Sequence, residues 1–187
     1  MKSAETIDLL LKRRSLVAMY LEAPGPNDEE LETILRCGTR VPDHKGIVPW
    51  RIKIVDRETQ DTLHAKLPEL FEGEDQAPLV KTTTKEPKAA PTLLIVHSYT
   101  ISDKAPRSEQ LLSCAAACQN ILIASHALGY HSQWLTEWMA YSPKVKDYLG
   151  IPPAEDIIGF IYIGTAPGGT KERPRPELSA VVSKLEL

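Results

Sequence analysis

The 187-residue sequence has no long apolar run, few cysteines and no excess of positive charge. A membrane-spanning helix needs about 20 consecutive apolar residues. The apolar run near the start, Leu9 to Leu11, falls short of that and of a signal-peptide core. A cytoplasmic protein that does not enter a membrane is expected. The three cysteines, Cys37, Cys114 and Cys118, lack the spacing of a disulfide framework and suit a reducing compartment. Cys114 and Cys118 would share a helix face, but no His or carboxylate stands close by in sequence to complete a metal site. They read as small buried residues, and no metal is expected. Lys plus Arg total 22 against 25 Asp plus Glu, a net charge of −3, so no basic surface for general nucleic-acid binding is expected. Neither an HExxH nor a GxSxG pattern occurs.

What the chain does have is the ordinary balance of a globular domain, 42% hydrophobic and 25% charged residues. Its length suits a single domain over residues 1–187. Ile7, Leu10 and Leu11 can share one face of a first helix over Thr6 to Lys12. After the turn Ala23-Pro24-Gly25-Pro26, Asn27 and Glu30 have the spacing of a capping box, which predicts a helix running to about Cys37. Arg40 to Trp50 is rich in turn formers and reads as a loop. Arg51 to Val55 alternates as a strand does, and Glu58 to Leu67 reads as a helix. A polar excursion over about 72–90 has no periodicity, and such stretches often form lids. Thr92 to His97 reads as a buried strand.

Ser108 to Leu128 carries the strongest helical signal. It is apolar on most faces, so it is buried on several sides, and Ser113 to Cys118 has only small side chains, which lets a second backbone approach. Gly129 is its expected terminator. His131 to Leu135 reads as a short strand, Ser142-Pro143 opens a helix ending at Gly150, and Ile157 to Ile163 is a strand stopping at Gly164. The tail, about 165–187, is proline-rich and basic and suits an arm laid over a partner. Helices and few strands around one central helix make an α+β plan.

Several motifs come together in order. Arg13-Arg14-Ser15 closes the first helix. Pro42-Asp43-His44-Lys45 precedes the dipeptide Pro49-Trp50. Gln119-Asn120-Ile121-Leu122 and His126-Ala127-Leu128-Gly129-Tyr130 lie on and after the long helix, followed by Trp134, and Gly164-Thr165-Ala166-Pro167 opens the tail. In this order and spacing, over about residues 5–182, the chain resembles the nitroreductase family, and especially its compact bacterial branch of FMN-dependent NAD(P)H nitroreductases. The resemblance implies a mostly antiparallel sheet flanked by helices, and a homodimer packed through the long helices with FMN at the interface. It further implies a hydride passed from NAD(P)H through the flavin to a nitroaromatic, a quinone or a related small acceptor, in a ping-pong cycle without a side-chain nucleophile.

Site residues follow from the same resemblance. Arg13, with Arg14 and Ser15 beside it, corresponds to the phosphate ligand, since guanidinium forks match phosphate oxygens. As a bare pair, Arg13-Arg14 could equally close a helix C-terminus. Arg173 and Arg175 of the tail would reach the same phosphate, or be a solvated basic tail. Arg40 and His44 would contact the flavin from the other subunit. Trp134, Leu135 and Thr136 fall where backbone groups face the flavin ring, and Trp134 also reads as a core residue. The remaining histidines, His64, His97, His126 and His131, read as structural. Two positions depart from the family: Val48 stands where many relatives have glutamine, and Leu135 where the compact branch often has a basic residue. Alternatives are a flavin-holding protein without turnover, or another flavin reaction such as enone reduction or dehalogenation.

Overall fold

The computed structural model describes residues 2–72, 90–99 and 103–186. Helix α1 (Ala4–Lys12) opens where the Ser3 hydroxyl accepts the Thr6 N–H. Helix α2 (Asp28–Gly38) opens at Asn27 with both halves of the capping box made, Asn27 accepting from the Glu30 N–H and Glu30 from the Asn27 N–H. Strand β1 (Trp50–Val55) leads into α3 (Arg57–Phe71), and β2 (Thr92–Ser98) precedes α4 (Arg107–Ala127). Strand β3 (His131–Leu135), α5 (Pro143–Tyr148) and β4 (Ile157–Gly164) follow. The expected helix over Glu58 to Leu67 is longer by one turn and runs through Pro68. Leu67 and Leu70 are both buried there, and that burial offsets the hydrogen bond proline cannot make. The expected loop over Arg40 to Trp50 contains a 3₁₀ turn at His44–Gly46, and Trp50 already belongs to β1. The polar excursion, apart from its ends, lies outside the described residues.

The strands form one sheet in the order β1-β2-β4-β3, antiparallel at every junction. Central β2 is buried on both faces, and its side chains alternate between two cores. Leu93 and Ile95 join Leu63 and Leu67 of α3, Val145 of α5, and Phe160 and Tyr162 of β4. Leu94 and Val96 join Ile34 of α2, Cys118, Ile121 and Leu122 of α4, and Ile161 and Ile163 of β4. Gly38 admits Ile121 against the backbone of α2, where a Cβ would collide with that side chain.

Among the described residues, apolar surface stays outside these cores on α1, on the tail and on α4. Helix α1 buries no residue, leaving Ile7, Leu10 and Leu11 exposed. The tail leaves Leu178, Val181, Val182 and Leu185 exposed. On α4, Leu112 is 68% exposed. It continues into half-buried Ala116, Gln119 and Ile123, which at helical spacing form one stripe along the helix.

Candidate functional site

The residues singled out from sequence gather at the two ends of α4. At its C-terminal end, α1 stops at Arg13, whose backbone leaves helical geometry. The chain then runs past the edge strand β3: the Leu16 N–H donates to Ser132 O at 3.3 Å and the Ala18 N–H to Gln133 Oε1 at 2.5 Å. This holds Arg13, Arg14 and Ser15 between α1 and β3. Arg13 Nη1 lies 3.5 Å from Ser15 Oγ. Arg14 Nε donates to Lys171 O at 3.3 Å and sits 3.9 Å from Glu172 Oε1. Arg175 meets the same Glu172 oxygen at 3.1 Å. Arg173 enters through its backbone N–H, which donates to Glu172.

This end carries more positive charge than its contacts compensate. Partial burial, then the charges of Arg175 and Arg14, pull the Arg13 guanidinium below its ordinary pKa. Two histidines left as structural by the sequence lie against it. The His126 ring is 5.0 Å from that of His131, and its Nδ1 donates to Leu122 O at 3.2 Å. Burial, then His131, with Arg13 adding to them, lowers the His126 pKa, and burial lowers that of His131. His126 Nε2 and His131 Nδ1 are buried without a hydrogen-bond partner. Buried polar groups are ordinarily paired. Clustered guanidiniums suit a multiply charged anion, and a phosphate group fits them; the neutral His126, with its proton on Nδ1, adds no donor to that set.

At the N-terminal end of α4, the loop before β1 is strained. Lys45 (φ 62°) and Val48 (φ 55°) occupy the left-handed region, which a β-branched residue such as valine rarely adopts. Asp43 holds the turn, its carboxylate accepting the Val48 N–H at 2.7 Å and its carbonyl the Gly46 N–H at 3.2 Å. Side chains of α4 pin the loop. Ser113 Oγ donates to Pro42 O at 2.9 Å, Cys114 Sγ to Pro49 O at 3.1 Å and Asn120 Nδ2 to Arg40 O at 3.0 Å. His44 projects from this loop, its Nδ1 2.5 Å from Glu109 Oε2 in the first turn of α4. The Arg40 side chain is exposed.

Trp134 is anchored in the core. Its indole N–H donates to Ile158 O at 2.9 Å, and a Cβ at Gly159 would overlap the ring. Leu135 packs against the core on the opposite face of the sheet. The Thr136 carbonyl accepts the Ala140 N–H at 3.1 Å, and Glu137 follows at φ 46°, ψ −167°, a region close to one used almost only by glycine. Desolvation raises the Glu137 pKa.

The structure therefore brings Arg13, Arg14, Ser15 and Arg175 together, but sets His44 apart from them at Glu109, and Arg40 apart from His44 beside Asn120. Glu109 and His126 are 17 positions apart on α4, or about 25 Å at the helical rise. His126, His131, Glu109 and Glu137 were not legible as site residues, because an orphaned atom, a cross-chain pair and a positive φ appear only in the fold. The Cys114 and Cys118 thiols are pushed up to about 12, mainly by burial, which suits inert core residues. Among the described residues no cluster could hold a metal ion, and no helix is long and apolar enough to cross a membrane.

Residues 10–165 match the model of the Nitroreductase family. The chain is 31% identical over 163 residues to YdjA of Escherichia coli (strain K12), which carries an NAD(P)H nitroreductase name, covering 86% of this chain and 88% of that protein. It is 28% identical over 167 residues to a similarly named Haemophilus influenzae protein, with the same coverage of each. Among solved structures, a nitroreductase-like family protein from Bacillus cereus superposes with a TM-score of 0.81 at 19% identity, covering 100% of this chain and 98% of that one. A nitroreductase with bound FMN from Bacteroides fragilis gives 0.76 at 21%, covering 98% and 100%. At such identities the likeness is one of fold.

Proposed function

Because the chain belongs to the nitroreductase family, a family of oxidoreductases, we propose that it binds FMN and transfers a hydride from NAD(P)H to a small acceptor such as a nitroaromatic or a quinone. The observation that carries this reading is the cluster of Arg13, Arg14 and Arg175 at the C-terminal end of α4. It suits the phosphate of FMN, the cofactor bound in the Bacteroides fragilis relative.

In this reading Arg13, Arg14 and Arg175 bind the phosphate through charge-assisted hydrogen bonds, with Ser15 beside Arg13 and Arg173 next to Glu172 in the tail. The backbone of Trp134, Leu135 and Thr136 lines the ring, held still because Trp134 and Leu135 are packed into opposite cores. Bound flavin supplies the redox chemistry, taking a hydride from NAD(P)H and passing it to the acceptor.

The site is proposed to be completed by a second copy. The phosphate cluster and His44 lie at opposite ends of α4, too far apart for one ligand, with Arg40 held beside Asn120 between them. Antiparallel pairing of two α4 helices along the Leu112–Ala116–Gln119–Ile123 stripe would set the His44 end of one copy beside the Arg13 end of the other. The exposed apolar faces of α1 and the tail supply further area for such an obligate interface. The three cysteines, none in a disulfide, support a place in the cytoplasm.

The test is flavin absorbance of the purified protein before and after adding FMN, followed by NAD(P)H oxidation with a nitroaromatic and with a quinone. Absence of any flavin band or uptake overturns the reading. Uptake without NAD(P)H oxidation favours a flavin-holding protein instead, which the apolar Val48 and Leu135 also suit.

A further inference from the structure

We propose that Glu109 is a positioning residue: it fixes the His44 ring through Nδ1, so that Nε2 is the atom offered to the flavin. This rests on the flavin reading above and deepens it. The ion-pair geometry is direct, Nδ1 to Oε2 at 2.5 Å between residues 65 positions apart. A carboxylate can only accept, so the proton it meets is on Nδ1, which leaves Nε2 an acceptor in the neutral ring and a donor in the imidazolium. Among the described residues Nε2 has no partner, and the side chain is 47% exposed, so Nε2 is available to a ligand.

A simple latch holding the loop to α4 would have the same geometry, but the loop has no need of one. Ser113, Cys114 and Asn120 already pin it at Pro42, Pro49 and Arg40. The left-handed residues Lys45, Gly46 and Val48 follow directly after His44. Strain of this kind persists only where surrounding contacts over-determine it, and it concentrates at functional positions. Glu109 adds nothing to the fixing of the backbone that these contacts lack. What it adds is the orientation of the imidazole. A hydrogen bond from an oriented ring can hold reduced and oxidised flavin unequally, which is how protein groups set a flavin's potential.

The experiment compares full-length wild type, His44→Ala, Glu109→Ala, Glu109→Gln and the double alanine variant. Riboflavin is the probe because it lacks the phosphate and so reports the ring end of the site. His44→Ala and Glu109→Ala should each weaken riboflavin binding by about tenfold, the scale of one well-made hydrogen bond, and the double variant by no more than either. Glu109→Gln keeps an oxygen for Nδ1–H and should stay within about threefold of wild type. The midpoint potential of bound flavin should move by the same amount in both alanine variants, where a tenfold preference between redox states is about 30 mV for a two-electron couple. Nitrogen NMR of the flavin-free protein should show His44 carrying its proton on Nδ1 in wild type and losing that fixed preference in Glu109→Ala.

A Glu109→Ala variant that melts lower but binds riboflavin with unchanged affinity and potential would make the pair a latch and overturn the proposal. So would a His44→Ala variant that matches wild type. Failure of the wild type itself to take up FMN or riboflavin would remove the flavin reading, and this proposal with it. Unchanged binding in the variants alone removes only the proposal.

Discussion

Replacing Arg13 by alanine should move two properties in opposite directions. In the flavin-free protein the Arg13 guanidinium is disfavoured by burial and by the charges of Arg175 and Arg14, so its loss relieves repulsion, and the variant should melt no lower than wild type. Toward FMN the change should be costly. A hydrogen bond to a charged group contributes about 1.5–3 kcal/mol, or roughly ten- to hundredfold in dissociation constant. Thermal shift makes the comparison in one assay. With FMN at 100 times the wild-type dissociation constant, binding stabilises wild type by about 2.7 kcal/mol. A variant about thirtyfold weaker gains only about 0.9 kcal/mol at the same concentration. For a chain of this size, 1 kcal/mol moves the melting temperature by about 2–4 °C. The FMN-induced shift should therefore fall to about a third of its wild-type size. Riboflavin affinity should change little, since it has no phosphate to lose. A variant whose apo form melts several degrees lower, with FMN affinity intact, would show Arg13 to be a helix-end charge with a structural role, and the phosphate reasoning would fail.

Three further expectations follow from the same geometry. Ala116→Glu, in the middle of the half-buried α4 stripe, should abolish dimer and flavin binding together; light scattering with flavin quantification decides, and a wild-type monomer that holds FMN refutes the shared site. Glu137→Gly should raise the apo melting temperature, because relief of about 1–3 kcal/mol of backbone strain exceeds the entropic cost of glycine at about 0.5–1 kcal/mol; a lower melting temperature would mean the Glu137 side chain contributes more than its backbone costs. His126 has a depressed pKa in the fold and the ordinary value of about 6.5 when unfolded, so the unfolded chain takes up more protons as pH falls. Apo stability should therefore drop as pH falls through that value, and less steeply in His126→Gln. Parallel melting-temperature profiles of the two proteins between pH 5.5 and 7.5 would remove His126 from the account.

The fold was legible where the signal is local. Asn27 and Glu30 announce α2 because a capping box is a four-residue matter, and Gly129 marks the end of α4 because it adopts φ 87° just beyond it. The four strands lie close to where alternation and apolar runs put them. The extent of α3 was not, because Pro68 lies in a helix whose last turn is stabilised by tertiary burial of Leu70, which no local pattern reveals. The candidate site divides the same way. Arg13, Arg14 and Ser15 could be singled out only because their order with the other motifs resembled a family. His126 and His131 could not, since what marks them is their burial against each other and beside Arg13, in a cluster assembled from α1, α4, β3 and the tail. Glu109 looks like any surface carboxylate in a first helical turn until His44 is found beside it.

The separation of Arg13 and His44 along α4 has a genetic corollary. On the antiparallel pairing, each flavin site takes its phosphate end from one chain and its His44 end from the other. A chain lacking Arg13 and a chain lacking His44 would each form homodimers in which every site is damaged. Mixed together, they would form a heterodimer with one site carrying both lesions and one carrying neither. Two defective copies could thus restore a single intact site, half the complement of the normal dimer. An organism with two diverged copies of this gene could retain one working centre per dimer while each copy drifted at a different end of the same helix.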